Sequence, residues 1–198
     1  MIRPQPPSRV SWERPAARVR SWVRSAIIVG LICAFGITTS AAAQALHVTM
    51  LHATGDGPGV SNGTVTITQT EAGAVFALAL KGLPPGVHGF HVHENASCGP
   101  TMMGSVRIPA GASGSHWDPE QVAQHGGPDG PGHLGDLPLL EVAADGTATQ
   151  SLTAPRIKDI ARLKAHSLVI DMGGDNYKDQ PLRDGGGGLH LSCGAIGE

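Results

Sequence analysis

The stretch Gly89-Phe90-His91-Val92-His93-Glu94 decides how this chain folds. In an extended strand, residues two apart share a face, so His91 and His93 project together while Phe90 and Val92 point into a core. Two imidazoles on one rigid face form half of a transition-metal site. The same spacing also fits an ordinary strand with solvated histidines, and this stretch alone does not separate the two interpretations.

The chain beyond residue 45 is built from short runs in which apolar and polar residues mostly alternate. These runs cover residues 47–51, 63–68, 74–80, 89–94, 139–142, 147–152, 167–170 and 189–195. Glycine, proline and the pair Asp145-Gly146 punctuate them, which indicates an antiparallel sandwich or barrel of short strands. Residues 156–164 fit one or two helical turns within a connection.

Two long segments, residues 95–136 and 172–188, lack this alternation and are rich in glycine. Loops of this length inside a compact domain are usually functional or disordered. The first segment is dense in histidine, which favours a functional role.

The first 45 residues have the order of a secretory signal. Six arginines and one acidic residue precede position 25, an apolar run covers residues 26–37, and Ala43-Gln44-Ala45 offers a cleavage site. The apolar run is too short for an ordinary membrane span. We therefore expect residues 1–45 to be removed as a signal peptide. Residues 46–198 would then form one exported domain, periplasmic or extracellular, without stable membrane insertion.

Removal of residues 1–45 changes the net charge of the protein. Eight Lys and Arg and fifteen Asp and Glu remain, a net charge of −7 with histidine neutral. This charge argues against nucleic acid or an acidic membrane as a partner. Cys33 leaves with the leader, and an oxidising compartment favours a disulfide between the remaining Cys98 and Cys193. Free thiols or a metal-binding role are the alternative.

The first long loop carries residues with the spacing of metal ligands. His116 is followed by His125, His133 and Asp136, with eight, seven and two residues between successive members. Three imidazoles and one carboxylate suit a closed tetrahedral zinc(II) site. The alternative is a merely polar, histidine-rich loop, which the histidine pair on the preceding strand makes weak.

These motifs, in this order, resemble the exported bacterial branch of the copper–zinc superoxide dismutases. The matching stretches lie at residues 86–95, 97–100, 114–138, 154–156, 173–177 and 185–188. The resemblance implies an all-β fold, an eight-stranded antiparallel Greek-key β-barrel or sandwich with two long functional loops. It also implies an activity in which copper cycles between Cu(II) and Cu(I) and superoxide becomes dioxygen and hydrogen peroxide.

By position, the resemblance implies two ligand sets that share one histidine. These are His91, His93 and His116 for copper, and His116, His125, His133 and Asp136 for zinc. Asp175 matches a carboxylate that hydrogen-bonds one copper histidine and one zinc histidine, which fixes the orientation of both rings. Cys98 and Cys193 match the disulfide of the family. His88 faces away from His91 on the strand, and we interpret it as a structural, hydrogen-bonded histidine.

Two positions depart from the family pattern. The fourth copper ligand of the family is a histidine, and Asp171 stands in its place; an arginine that attracts superoxide is replaced by His190. A carboxylate is harder than an imidazole and favours Cu(II) over Cu(I). A neutral histidine also removes positive charge from the path of the anion. We place Asp171 in the copper set and His190 at the catalytic arginine position, with the further hypothesis that His190 itself replaces Asp171 as a ligand.

The sequence therefore leaves two functions open. The first is an exported superoxide dismutase with copper and zinc, acting on the superoxide anion, with reduced activity if the two departures limit it. The second is a non-catalytic relative that binds zinc or copper and buffers metal outside the cytoplasm. The complete zinc set argues against a purely structural barrel, and the sequence leaves a homodimer open.

Overall fold

The computed structural model describes residues 45–197 of the chain. The predicted signal peptide thus lies outside the described residues, apart from Ala45. Within residues 45–197, no helix is both long and apolar enough to cross a membrane.

The described part contains eleven β-strands and three 3₁₀ helices. The strands are β1 (Ala45–Thr54), β2 (Gly57–Thr70), β3 (Gly73–Leu80), β4 (Gly86–His88), β5 (Phe90–His93), β6 (Thr101–Met103), β7 (Val106–Ile108), β8 (Leu140–Val142), β9 (Ser151–Ala154), β10 (Ser167–Asp171) and β11 (His190–Ala195). The 3₁₀ helices are Gly111–Ser113, Ile160–Leu163 and Asp184–Gly186.

Antiparallel pairing arranges these strands in a curled sheet with the order of a Greek-key barrel. Seven of them form one sheet in the order β5-β10-β11-β1-β2-β3-β9, and β4 pairs with β8. Only Gly89 separates β4 from β5, and β8 leads into β9 through a turn in which Ala143 N–H donates to the Thr147 carbonyl at 2.8 Å. With β4 and β5 counted as one strand and the β6–β7 hairpin left outside, this confirms the predicted eight-stranded Greek-key barrel.

The barrel interior is filled by the inward side chains of the alternating strands. Phe76 on β3 and Phe90 on β5 are fully buried and meet edge to face, with ring centroids 5.8 Å apart. Burial of one such side chain is worth about 1.5–3 kcal/mol. Val92 is also fully buried, so Phe90 and Val92 anchor the inner face of β5, as predicted from the alternation.

The first long loop contains a hairpin that the sequence analysis did not predict. Strands β6 and β7 pair across Gly104-Ser105, with Thr101 opposite Ile108. Gly104 has a φ of 62°, the left-handed conformation that two-residue hairpin turns need. The prediction of a short helical segment in residues 156–164 is confirmed, because they include one turn of 3₁₀ helix, Ile160–Leu163.

The disulfide predicted between Cys98 and Cys193 is present and ties the first long loop to β11. Cys193 is fully buried beside Ala53, Ala110 and Val169. The bridge closes a segment with a sequence separation of 95 residues. A cross-link over such a length removes much of the conformational freedom of the unfolded chain.

We expect the substitution Cys98→Ser to lower the free energy of unfolding by about 4–5 kcal/mol, because it opens this loop in the unfolded state. Urea unfolding of both proteins with a metal chelator present measures the effect without a contribution from bound metal. Reductant should lower the unfolding midpoint of the wild type to that of the variant and leave the midpoint of the variant unchanged. Equal unfolding midpoints under oxidising conditions would contradict the prediction.

Candidate metal centre

Backbone pairing to the edge of β5 determines where the loop residues lie. Val92 N–H donates to the Gly135 carbonyl at 2.9 Å, and Trp117 N–H donates to the Val92 carbonyl at 2.8 Å. These contacts place His93 opposite His116 and His91 opposite Asp136 as antiparallel partners. Two loop segments that are distant in sequence thus meet on the strand that carries the histidine pair.

The outward faces of β5 and β10 are covered by the two long loops. All nine predicted site residues come together there, and eight of them are 9% exposed or less: His91, His93, His116, His125, His133, Asp136, Asp171 and Asp175. The ninth, His190, is partly buried, although its Nδ1 atom is fully enclosed. Water is therefore largely excluded from a dense group of ionisable side chains.

A single carboxylate oxygen organises the loop histidines. Asp136 Oδ1 lies 3.0 Å from His116 Nδ1, 3.0 Å from His125 Nδ1 and 3.3 Å from His133 Nδ1. Ligands of one tetrahedral ion with bonds of about 2.0–2.1 Å are roughly 3.3 Å apart, close to these three distances. The other carboxylate oxygen, Oδ2, accepts a hydrogen bond from Gly126 N–H at 3.0 Å, which holds the side chain in place.

Asp175 connects the two halves of the group. Its Oδ2 accepts a hydrogen bond from His91 Nε2 at 2.9 Å, and its Oδ1 accepts one from His125 Nε2 at 2.8 Å. Tyr177 N–H also donates to Oδ1 at 2.6 Å. These bonds hold a proton on Nε2 of each ring, so that Nδ1 is the nitrogen that can offer a lone pair once its own proton is lost.

Several enclosed ring nitrogens have no hydrogen-bond partner within the described part of the chain. His93 Nδ1 donates to the Gly114 carbonyl at 2.8 Å, which leaves its buried Nε2 without one. The Nδ1 atom of His190 is also unpartnered, whereas those of His91 and His125 lie 3.1 Å and 3.0 Å from carboxylate oxygens of Asp171 and Asp136 without a hydrogen bond. Orphaned buried polar atoms are rare in native structures and call for an explanation such as an ion. The donor set therefore fits metal ions, both in its chemistry and in its unsatisfied atoms.

Without metal, carboxylates keep two of these histidines protonated at neutral pH. Burial alone lowers the pKa of His91, but Asp171 and Asp175 outweigh it and raise the pKa to about 9. Burial likewise lowers the pKa of His125, whereas Asp136 and Asp175 raise it to about 10. Metal binding must displace these protons, so it is coupled to proton release.

The pKa values of the neighbouring groups shift in the opposite direction. Burial lowers the pKa of His116 to about 4, with the charge of His91 adding to the effect. Burial, together with His116 and His91, also lowers the pKa of His93. For Asp136 and Asp175, burial alone raises the pKa, but hydrogen bonds from the histidines outweigh it and hold both pKa values well below the usual range. The cluster thus keeps Asp136 and Asp175 ionised and the imidazoles of His93 and His116 neutral.

The two departures from the family pattern line one pocket. A cavity of about 350 Å³ opens at His93, His116, Asp171 and His190. Asp171 Oδ2 lies 3.1 Å from His91 Nδ1 without making a hydrogen bond to it. In this respect the pair matches Asp136 and His125, whose atoms are also close and not hydrogen-bonded.

His88 lies outside the group, as predicted. Its ring nitrogens are 2.8 Å and 2.9 Å from the carbonyl oxygens of Asp171 and Pro84, so it links β4 to β10. Sequence reasoning assigned no role to Arg156, whose guanidinium donates to the His133 and Gly132 carbonyls at 3.1 Å and 2.8 Å. These bonds hold the histidine loop from the barrel side, and the Ala154-Pro155-Arg156 motif was the available signal.

Sequence reasoning also missed two residues near the histidines. Ser113 Oγ lies 3.1 Å from His93 Nδ1 and shares that atom with the Gly114 carbonyl. Asp184 has an oxygen within 4.8 Å of ring nitrogens of His116 and His133. Neither had a sequence signal, since both depend on how the loops fold over β5.

We expect Gly185→Ala to lower the free energy of unfolding of the metal-free protein more than Gly188→Ala does. Both glycines have a left-handed φ, so both substitutions add backbone strain. A Cβ at position 185 would also collide with Asp175 Oδ1, whereas a Cβ at 188 meets nothing within 4 Å. Loss of the Asp175 hydrogen bonds should make the difference about 1–3 kcal/mol. Denaturant unfolding measures it, and equal losses would contradict this role of Asp175.

Comparison with known proteins identifies the family to which this chain belongs. The copper/zinc superoxide dismutase (SODC) family matches residues 61–196. Copper–zinc superoxide dismutase 2 of Salmonella typhimurium is 46% identical over 171 residues, covering 86% of this chain and 96% of that protein. The Cu/Zn superoxide dismutase structure from Brucella abortus has a TM-score of 0.77 and 44% identity, covering 78% of this chain and 100% of its own. The monomeric copper, zinc enzyme from Salmonella enterica has a TM-score of 0.71 and 48% identity, with coverage of 78% and 100%. The chain belongs to the copper/zinc superoxide dismutase family.

Proposed function

We propose that this protein is an exported superoxide dismutase that holds zinc and copper on the outer face of the barrel. One observation carries the proposal: the buried His116 ring lies between the strand histidines His91 and His93, with centroids 3.9 Å and 5.1 Å away, and the loop histidines His125 and His133, with centroids 5.2 Å and 5.5 Å away. The zinc side would consist of His116, His125, His133 and Asp136. Its support is the common distance of 3.0–3.3 Å from Asp136 Oδ1 to three ring nitrogens.

The copper side would consist of His91, His93, His116 and Asp171. His91 Nδ1 and His93 Nε2 are enclosed and unpartnered, because Asp175 and Gly114 occupy the opposite nitrogen of each ring. His116 faces Asp136 with Nδ1, so its Nε2 would be the atom available to the copper side, and the ring would serve both sets. Asp171 is supported by its position 3.1 Å from His91 Nδ1.

When bound, copper would supply the one-electron chemistry that oxidises one superoxide to dioxygen and reduces a second one, with protons, to hydrogen peroxide. The protein's own residues orient the ligand rings and exclude water from them. Asp175 keeps His91 and His125 in one tautomer, so neither ring can turn away from its ion. Burial of both sets excludes water from the ligands, and the pocket leaves the copper side open to a small anion.

An anion approaching this pocket needs a local positive charge, because the expected mature chain has a net charge of −7. Arg183 lines the pocket together with His93 and His190. Its side chain is 81% exposed, and its Nε lies 3.6 Å from Asp184 Oδ2. The carboxylate offsets part of the field, but the guanidinium remains free to guide superoxide in the place of the family arginine.

Export belongs to the same proposal. The basic, apolar and small-residue order of residues 1–45 supports a cleaved signal peptide. The Cys98–Cys193 disulfide suits an oxidising compartment such as the periplasm. A homodimer stays a prediction, and the Salmonella enterica relative is described as monomeric.

Metal analysis of the exported protein, combined with a superoxide-consumption assay, tests the function directly. We expect one zinc and one copper per chain and superoxide turnover that is lost on chelation and regained with copper. Asp171→His should raise turnover, since it restores a softer ligand that holds Cu(I) better. Stoichiometric zinc with little copper and no turnover would overturn the enzyme proposal in favour of metal buffering.

We also expect Arg183→Gln to lower kcat/KM for superoxide by roughly 2- to 10-fold at low ionic strength, because it removes the cation at the pocket. The difference should shrink as salt is added, since salt screens exposed charges. Lys81→Gln removes the same charge from an exposed position after β3 and serves as the control. Equal effects of the two substitutions would show that only net charge matters and would contradict the role of Arg183.

A further inference from the structure

The copper side described above leaves out the imidazole of His190, which the sequence raised as a replacement for Asp171. We propose that His190 is a copper ligand contributed by β11 through Nδ1, so that copper regains the imidazole that residue 171 no longer supplies. This inference rests on the proposed function, because it concerns the same copper side of the centre. It adds a ligand from a strand that carries none of the others.

His190 and Asp171 face each other across two strands. They are paired residues of β10 and β11, next to a register irregularity between Ile170 and Asp171. Opposed residues in an antiparallel pair have Cβ atoms about 4.5–5.5 Å apart, on the same face of the sheet. Both side chains line the same pocket as His93 and His116. A side chain on β11 can therefore reach the same ion as the residue that lies opposite it on β10.

The spacing of the rings suits shared coordination. The ring centroids of His93 and His190 are 5.0 Å apart, with an interplanar angle of 83°. Two imidazoles bound to one ion at about 2.0–2.1 Å place their centroids roughly 5 Å apart. The pair His93 and His116, which belongs to the proposed copper set, has a centroid distance of 5.1 Å. The rings of His190 and His116 thus lie at nearly the same distance from that of His93.

The Nδ1 atom of His190 supports a ligand rather than a structural role. It is fully buried and has no hydrogen-bond partner among the described residues. The structural histidine His88 differs in this respect, because carbonyl oxygens lie within 2.9 Å of both of its ring nitrogens. A buried lone pair without a donor is costly unless a metal or a water satisfies it. Copper, for which imidazole is a well-suited ligand, is the ion that this side of the centre would hold.

The test compares copper binding of the zinc-loaded exported protein with that of His190→Gln, using chelator competition and the nitrogen hyperfine pattern of the Cu(II) electron paramagnetic resonance spectrum. Partners that merely orient metal ligands change affinity by about 10- to 100-fold, so loss of a direct ligand should cost at least about 10-fold. The spectrum should show one coordinated nitrogen fewer. His47→Gln, which removes an exposed histidine of β1, should change neither.

A second variant keeps the test decisive if His190→Gln folds poorly. The double substitution Asp171→His with His190→Arg returns both positions to the family pattern, and it should bind copper at least as tightly as the wild type with the same number of nitrogens. His190→Arg alone should lose affinity and one nitrogen. If His190→Arg instead keeps both and only gains activity, His190 is not a ligand, and the inference is overturned.

The failure of this inference is distinct from that of the function. A wild type that binds copper and consumes superoxide, with an unchanged spectrum in His190→Gln, overturns the ligand role and leaves the proposed function standing. A wild type that binds zinc but no copper overturns both.

Discussion

The structure depends on one electrostatic constraint: five histidines and three aspartates are buried together outside the barrel. Removing a charge from water costs several kcal/mol unless the charge is paired. Here the pairing is internal, since Asp136 and Asp175 each contact two or more imidazoles, and it is incomplete, since His93 Nε2 and His190 Nδ1 have no partner among residues 45–197. Metal ions would complete it. The barrel therefore serves as a rigid platform against which the two long loops bury this group.

Much of the rest can be understood as support for this platform. The loop segments pair with the free edge of β5, Arg156 holds the carbonyls next to His133, and the disulfide ties the loop to β11. The second long loop contributes Asp175, which touches one histidine of each set. Gly185 lets this loop pass close to that carboxylate. None of these contacts supplies a metal ligand. Each of them restricts how far the ligand side chains can move.

The sequence predicted the parts that follow from local pattern. Alternation around Phe90 and Val92 gave the inward face of β5, and the spacing of His116, His125, His133 and Asp136 indicated one polar site. The hairpin of β6 and β7 was missed because its short strands lie within a segment judged by its overall glycine content. The positions of Ser113 and Asp184 depend on long-range loop packing, which no spacing rule describes. The departures at Asp171 and His190 were visible only through the family resemblance, and their pairing across β10 and β11 required the structure.

The central claim is that two ions bind on opposite sides of His116. Anomalous X-ray diffraction from crystals of the metal-loaded protein, recorded at the zinc and copper absorption edges, tests it most directly. The account predicts a zinc peak enclosed by His125, His133 and Asp136, and a copper peak between His91 and His93, with the His116 ring between the two. A single zinc peak, or copper bound away from His91 and His93, would contradict it.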